Sequence, residues 1–142
     1  MLVGAEFGLP PSEHFIKLNK ARIAALRRDG VAAAYAADPY VMAPDHAEAR
    51  RQAAALLVAN PQNITHRDLH KPGPPLAPRL GQLKAPTLIL VGEDDAPDVQ
   101  ASAGALEALI PDAKRVVMSD AGHTIYLEQR DAFVEQVSRF LR

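Results

Sequence analysis

An acidic loop and a histidine loop hold the side chains of this sequence best placed to do chemistry together. The first is Gly92-Glu93-Asp94-Asp95-Ala96-Pro97-Asp98 and the second is Asp120-Ala121-Gly122-His123. Each follows a short apolar run that reads as a strand of a parallel sheet. The carboxyl ends of such strands are where open α/β sheets bind ligands. If the two strands are neighbours, an acid from the first loop can meet the imidazole of the second. A carboxylate bonded to one ring nitrogen fixes the histidine tautomer and stabilises imidazolium. The other nitrogen can then take a proton from a nucleophile.

The elements that must position these loops follow from pattern. Pro86-Thr87-Leu88-Ile89-Leu90-Val91 is a nearly continuous apolar run ending at Gly92, which suits a strand covered on both faces. Val99 to Ile110 has helical spacing, with Ala101, Ala105, Leu106 and Leu109 on one side. Pro111-Asp112 turns the chain into a second short strand, Lys114 to Met118. A last helix places Phe133, Val137, Phe140 and Leu141 on one face. Strand, helix, strand, helix predicts a right-handed βαβ unit on a parallel sheet.

The residues before this unit read differently. Met1-Leu2-Val3-Gly4 resembles the end of a buried strand. Ser12 is a suitable N-cap for a helix to about Arg28, stopped by Gly30, and a short helix over Val31 to Ala37 follows. Asp45-His46-Ala47-Glu48 has the form of a capping box, with Glu48 reaching back from the third helical position. The helix it opens has Ala49, Ala53, Leu56 and Leu57 on one face and ends at Asn60-Pro61. The prolines of residues 71–78 form a rigid connector. The expected division is residues 1–78, a strand end plus a helical region, and residues 79–142, the βαβα part.

Residues 85–95, running from Ala85-Pro86-Thr87 to Glu93-Asp94-Asp95, resemble the strand and acid turn of α/β-hydrolases. Ala121-Gly122-His123, with Leu127-Glu128-Gln129 and Phe133, resembles their histidine loop and final helix. The family's chain order is nucleophile, acid, histidine, and here acid and histidine occur in that order. The resemblance covers about Leu80 to Arg142 closely, and more loosely relates Ser12 to Pro78 to the helical cap of many members. It implies an α/β fold with a partial parallel sheet, the C-terminal strands of an α/β-hydrolase, and an N-terminal helical cap region. It also implies that Asp95, three residues after Gly92, is the triad acid, with Asp94 and Asp98 as rivals, and that His123 is the base. Glu128 reads as a residue that caps or orients the last helix. Phe7, Phe15, Tyr35, Tyr40 and Met42 are candidates for a cap lining, although core packing accounts for them equally.

The family nucleophile sits in G-x-S-x-G on a strand-to-helix turn, and this sequence has no such motif. Its serines are Ser12, Ser102, Ser119 and Ser138. Ser12 reads as a helix cap, Ser102 and Ser138 lie in predicted helices, and Ser119 lacks the elbow. The oxyanion donors belong to the same missing part. The simplest expectation is a truncated gene or an internal methionine taken as the start. A subunit completed by a separate N-terminal half is the alternative.

Other patterns do not add a function. His66-Arg67-Asp68-Leu69 matches the start of a kinase catalytic loop, but Gly73 stands where its asparagine belongs and no glycine-rich nucleotide loop is present. His66 and His70 have metal-ligand spacing, yet Lys71-Pro72-Gly73 ends any helix at once. Sixteen Lys and Arg balance seventeen Asp and Glu, so electrostatics gives no argument for nucleic acid or anionic membrane. Without cysteine, disulfides, thiolate metal sites and a cysteine nucleophile are excluded. No apolar run is long enough to span a bilayer and no basic segment precedes an apolar core, so a cytoplasmic location is expected.

These readings predict a small-molecule hydrolase of esterase type, acting on an ester, lactone or related carbonyl bond and lacking its nucleophile, with no cofactor or metal. The alternative is an inactive fragment or interaction module. The expected partners are a small substrate, a second copy of the chain, or an N-terminal half supplied in trans. With two full strands and part of a third, the sheet has an open edge that favours such pairing.

Overall fold

The apolar run after Pro86 forms the middle strand of a three-stranded parallel sheet. The computed structural model describes residues 1–5, 8–36, 38–43, 45–60 and 75–142. The sheet order is β1 (Leu2–Val3), β2 (Thr87–Gly92) and β3 (Ala113–Met118). Every β2 residue is buried, as a strand enclosed on both faces requires. Ile89 and Val91 face a layer made by Val99, Ala103, Leu106 and Ile110, from or just after the helix Pro97–Leu109. Leu88 and Leu90 face the other way, toward Met118, Ala121 and Ile125, with Phe133, Val137 and Phe140 of the last helix packed behind. The period of two along the strand thus divides its side chains between two helical layers.

The remaining helices are α1 (Glu13–Asp29), α2 (Val31–Ala36), α3 (Ala47–Ala59) and α4 (Ala77–Leu80). The helix after β2 is α5 (Pro97–Leu109), and α6 (Ile125–Glu128) and α7 (Arg130–Phe140) close the chain. The caps predicted for α1 are present. The Ser12 hydroxyl accepts from the Phe15 amide at 3.1 Å, and Gly30, at φ 81°, donates back to Leu26. Its positive φ is one that glycine adopts without steric cost.

Several sequence expectations are corrected. Asp45 does not cap α3; the N-cap is His46, without a side-chain cap bond, and Glu48 binds Arg51 and Gln52 instead of reaching back. Leu56 is 57% exposed, so the inner face of α3 is Ala49 and Ala53. In α5 the buried face is Val99, Ser102, Ala103 and Leu106, while Ala101 and Leu109 are exposed. Leu141 is 75% exposed. The cause is shared: apolar residues populate more than one stripe of these helices, and the partner surface selects which stripe is used. The predicted connector lies partly outside the described residues, as do His66, Arg67, Asp68, Leu69 and His70 of the kinase-like and metal-like patterns.

Candidate active site

Register places the two loops together. In the β2–β3 ladder Gly92 is the partner of Met118, so the acid turn and the histidine loop leave the sheet at the same level. The Glu93 amide donates to Met118 O at 2.9 Å and the Asp94 amide to Ala121 O at 2.9 Å, joining the loops along their backbones. A side chain at Gly92 would strike the carbonyls of Gly122 and Ala121, at 2.1 and 2.2 Å from its Cβ. One at Gly122 would strike the backbone of Tyr40 and Met42 at 2.7 to 2.9 Å. The glycines permit these approaches.

His123 Nδ1 lies 3.0 Å from Asp95 Oδ2 and 3.2 Å from Oδ1. A carboxylate oxygen can only accept, so the contact calls for the proton on Nδ1 and assigns proton exchange to Nε2. Asp95 is 2% exposed, and its Oδ1 also accepts from the Ala96 amide at 2.7 Å. Gln100 holds the turn from outside, donating to the carbonyls of Glu93 and Asp95. The imidazole is half exposed, with the backbone of Gly4 beside it: a Cβ there would lie 2.8 Å from Cε1.

The other acids of the first loop are placed elsewhere. Asp94 is exposed. Asp98, in the first turn of α5, accepts from the Ser12 amide and hydroxyl, each at 2.7 Å. These bonds, together with the nearby charge of His14, hold its carboxyl below the ordinary carboxylate value.

Asp95 and His123 open onto a cavity of about 540 Å³, a size typical of small-molecule sites. Its other walls come from α1, α2 and α3: Phe15, Ile23, Leu26, Val31 and Leu57, with Val41 between. Of the cap-lining candidates, Phe15 lies in this wall, whereas Met42 is wholly buried against Ala49 and Ala53. Tyr40 packs edge-on against His14, with its hydroxyl 3.1 Å from His14 Nε2. Phe7 and the Tyr35 side chain lie outside the described residues. Ile23, Leu26 and Val31 went unmarked because a helical apolar residue has the same signature whether it faces a core or a cavity.

The cavity also contains an ion pair that sequence reasoning missed. Arg22 donates through Nε to the buried Asp38 and through Nη1 to Asn19 Oδ1 at 3.1 Å, and Asp38 accepts from the Tyr40 amide at 3.0 Å. Sixteen residues separate the pair, so no local spacing signals it.

Glu128 does not cap the last helix. The N-cap of α7 is Gln129, and the Glu128 carboxylate turns back to the histidine loop. It accepts from the Gly122 amide at 3.0 and 3.1 Å, the Ala43 amide at 2.6 Å and the Thr124 hydroxyl at 3.2 Å. The chain leaves the helical region at Gln129, φ −123° and ψ 53°, which separates Glu128 from α7.

None of the four serines lines the cavity among the described residues. Ser12 is a cap, Ser102 is buried in α5, and Ser119 and Ser138 are exposed. Among the described residues, no group of three or more His, Cys, Asp or Glu side chains is arranged to hold a metal. No described helix is long and apolar enough to cross a membrane.

Comparison with known proteins adds a family and a set of structures. A family model described as the alpha/beta hydrolase fold matches residues 58–129. An esterase from Thermogutta terrifontis, solved with malate bound, is 25% identical with a TM-score of 0.69, over 99% of this chain and 54% of its own. The enol-lactonase from Burkholderia xenovorans LB400 is also 25% identical, with a TM-score of 0.58, over 84% of this chain and 48% of its own. An esterase from Exiguobacterium antarcticum shares the fold at 18% identity and a TM-score of 0.69, over 99% and 56%. The chain therefore spans about half the length of these structures. No curated protein matches it.

Proposed function

The chain belongs to the α/β-hydrolase fold family, and on that premise we propose that it contributes the acid and the general base of a hydrolase acting on small esters or lactones. The observation that carries this reading is the Asp95–His123 pair in the wall of a mainly apolar cavity. Asp95 holds the imidazole by Nδ1. Nε2 takes the proton of a nucleophile as it attacks the substrate carbonyl. The imidazolium then returns that proton to the leaving alkoxide, and a water deprotonated by the same nitrogen releases the acyl group. The nucleophile and the oxyanion donors come from polypeptide outside these 142 residues, because no G-x-S-x-G occurs within them. An esterase and an enol-lactonase among the similar structures support the substrate class. The apolar walls supply burial for an acyl or alkyl group, and the Arg22–Asp38 pair adds a polar feature on the cap side.

The test is complementation. A polypeptide carrying the G-x-S-x-G half of a related hydrolase is mixed with this chain, and hydrolysis of a small aryl ester is followed. Turnover that needs both parts and disappears in His123→Ala is the expected result. Absence of turnover from a folded, associated pair overturns the reading.

The missing nucleophile favours a second reading, in which the chain is an inactive interaction module. Among the described residues β1 pairs only with β2, so its outer edge presents unpaired backbone groups. This reading expects the isolated chain to self-associate. A concentration-independent monomer with one sharp unfolding transition counts against it.

A further inference from the structure

Glu128 has a charge that the proposed chemistry does not use, and its surroundings are unusual for a carboxylate. No Lys, Arg or His pairs with it among the described residues. Its oxygens instead take two backbone amides and one hydroxyl from separate segments: Ala43 on one side, Gly122 and Thr124 on the other. Bonds from neutral donors to an ionised oxygen are roughly twice as strong as neutral pairs.

The two segments are the ones that hold His123. The His123 amide donates to the carbonyls of Tyr40 and Val41, both at 3.0 Å. The Thr124 amide and hydroxyl both donate to Val41 O at 3.2 Å. The carbonyls of residues 40–41 therefore pull the loop from one side, and the Glu128 carboxylate ties Ala43 and Gly122 together from the other. Thr124 is buried: its amide donates to Val41 O, and its single hydroxyl proton is shared between Val41 O and Glu128 Oε2, each at 3.2 Å. We propose that Glu128 is a positioning residue for His123: its carboxylate locks the histidine loop to residues 40–43 and so keeps the imidazole on Asp95. The inference rests on the proposed role of the Asp95–His123 pair for its consequence in catalysis, whereas its geometric content can be tested without turnover.

The experiment is proton NMR on the 142-residue chain, following the His123 Nδ1–H signal, identified by its loss in Asp95→Asn. Glu128→Gln replaces one acceptor oxygen with an amide NH2 group, a donor that faces donors. Loss of the His123 signal is expected, with about tenfold faster amide exchange at Gly122 and Ala43 and unchanged protection across β2. A brace acting on stability alone would lower the unfolding midpoint and leave the signal intact in the folded protein; that result overturns the proposal. Thr124→Val, which removes one hydroxyl and keeps the shape, is the second variant. It should broaden the signal partially, and an unchanged spectrum counts against the proposal even if Glu128→Gln does not fold. Where complementation yields turnover, Glu128→Gln should lower kcat with little change in KM. Absence of turnover in the wild type would refute the proposed function and leave the NMR result standing.

Discussion

Strand β2 buries all six of its residues, while helix α1, with 17, buries none. The strand is enclosed by two other strands and two helical layers, so packing alone fixes where its last residue, and the acid turn after it, must lie. Helix α1 is attached at points. Ser12 binds Asp98, His14 meets Tyr40, and Arg22 pairs with Asp38. Ile23 and Leu26 line the cavity, as does Phe15, which also packs against the core between β2 and α5. The contrast separates two jobs. A saturated core holds Asp95 and His123 in register, and in the proposed function the polar-tethered helix α1 offers apolar surface to a substrate. The proposed chemistry requires the first to be rigid and the second to be incompletely filled.

The largest effect expected from breaking this division is on chemistry. Asp95→Asn in the complemented enzyme should lower kcat on the order of 10⁴-fold, because the amide favours the wrong tautomer of His123. Rate measurement at saturating ester checks this, and a loss under tenfold would separate Asp95 from the reaction. Next is the core. Ile89→Ala, at a position with no exposure, should destabilise the chain by about 2–5 kcal/mol in urea unfolding.

The tethers come third. Ser12→Ala removes the α1 cap and one bond to Asp98 and should cost about 1 kcal/mol. Its pH dependence has a defined sign. Asp98 titrates below its unfolded value, chiefly through the Ser12 amide and then the Ser12 hydroxyl. The native state therefore binds fewer protons, and the stabilisation is fully present above that unfolded value. It is lost as the pH falls through the lower native pKa. Ser12→Ala keeps the amide and loses the hydroxyl, so the hydroxyl–Asp98 part of the difference from wild type should narrow below about pH 4, while the part due to the cap persists. A difference that grows with acid would show that another group controls the tether. The smallest effect belongs to the outer surface of α3: Leu56→Ser should change stability by no more than about 0.5 kcal/mol, although Leu56 shares an apolar stripe with Ala49 and Ala53.

Legibility followed the same division. The ends of α1 could be read because Ser12 and Gly30 act through their own backbone neighbours. Strand β2 could be read because burial on both faces demands an uninterrupted apolar run. The inner faces of α3 and α5 could not, since alanine and leucine occupy several stripes of each helix. At Asp45-His46-Ala47-Glu48 the pattern of a capping box was present, but Glu48 found Arg51 and Gln52 nearer. The family resemblance depended on two loop motifs, and the family match extends over 58–129.

For Asp95 and His123, residue types, chain order and the strands before each loop were set by local pattern, because parallel strands expose their carboxyl ends at one edge. Which of three aspartates meets the imidazole was decided by the register that pairs Gly92 with Met118. The turn that buries Asp95 and sends Asp98 to Ser12 completed that choice. The Arg22–Asp38 pair and the Glu128 clamp likewise arose only in three dimensions. Each joins residues from separate segments, and the energies that select them come from desolvated charges meeting donors that no sequence window brings together.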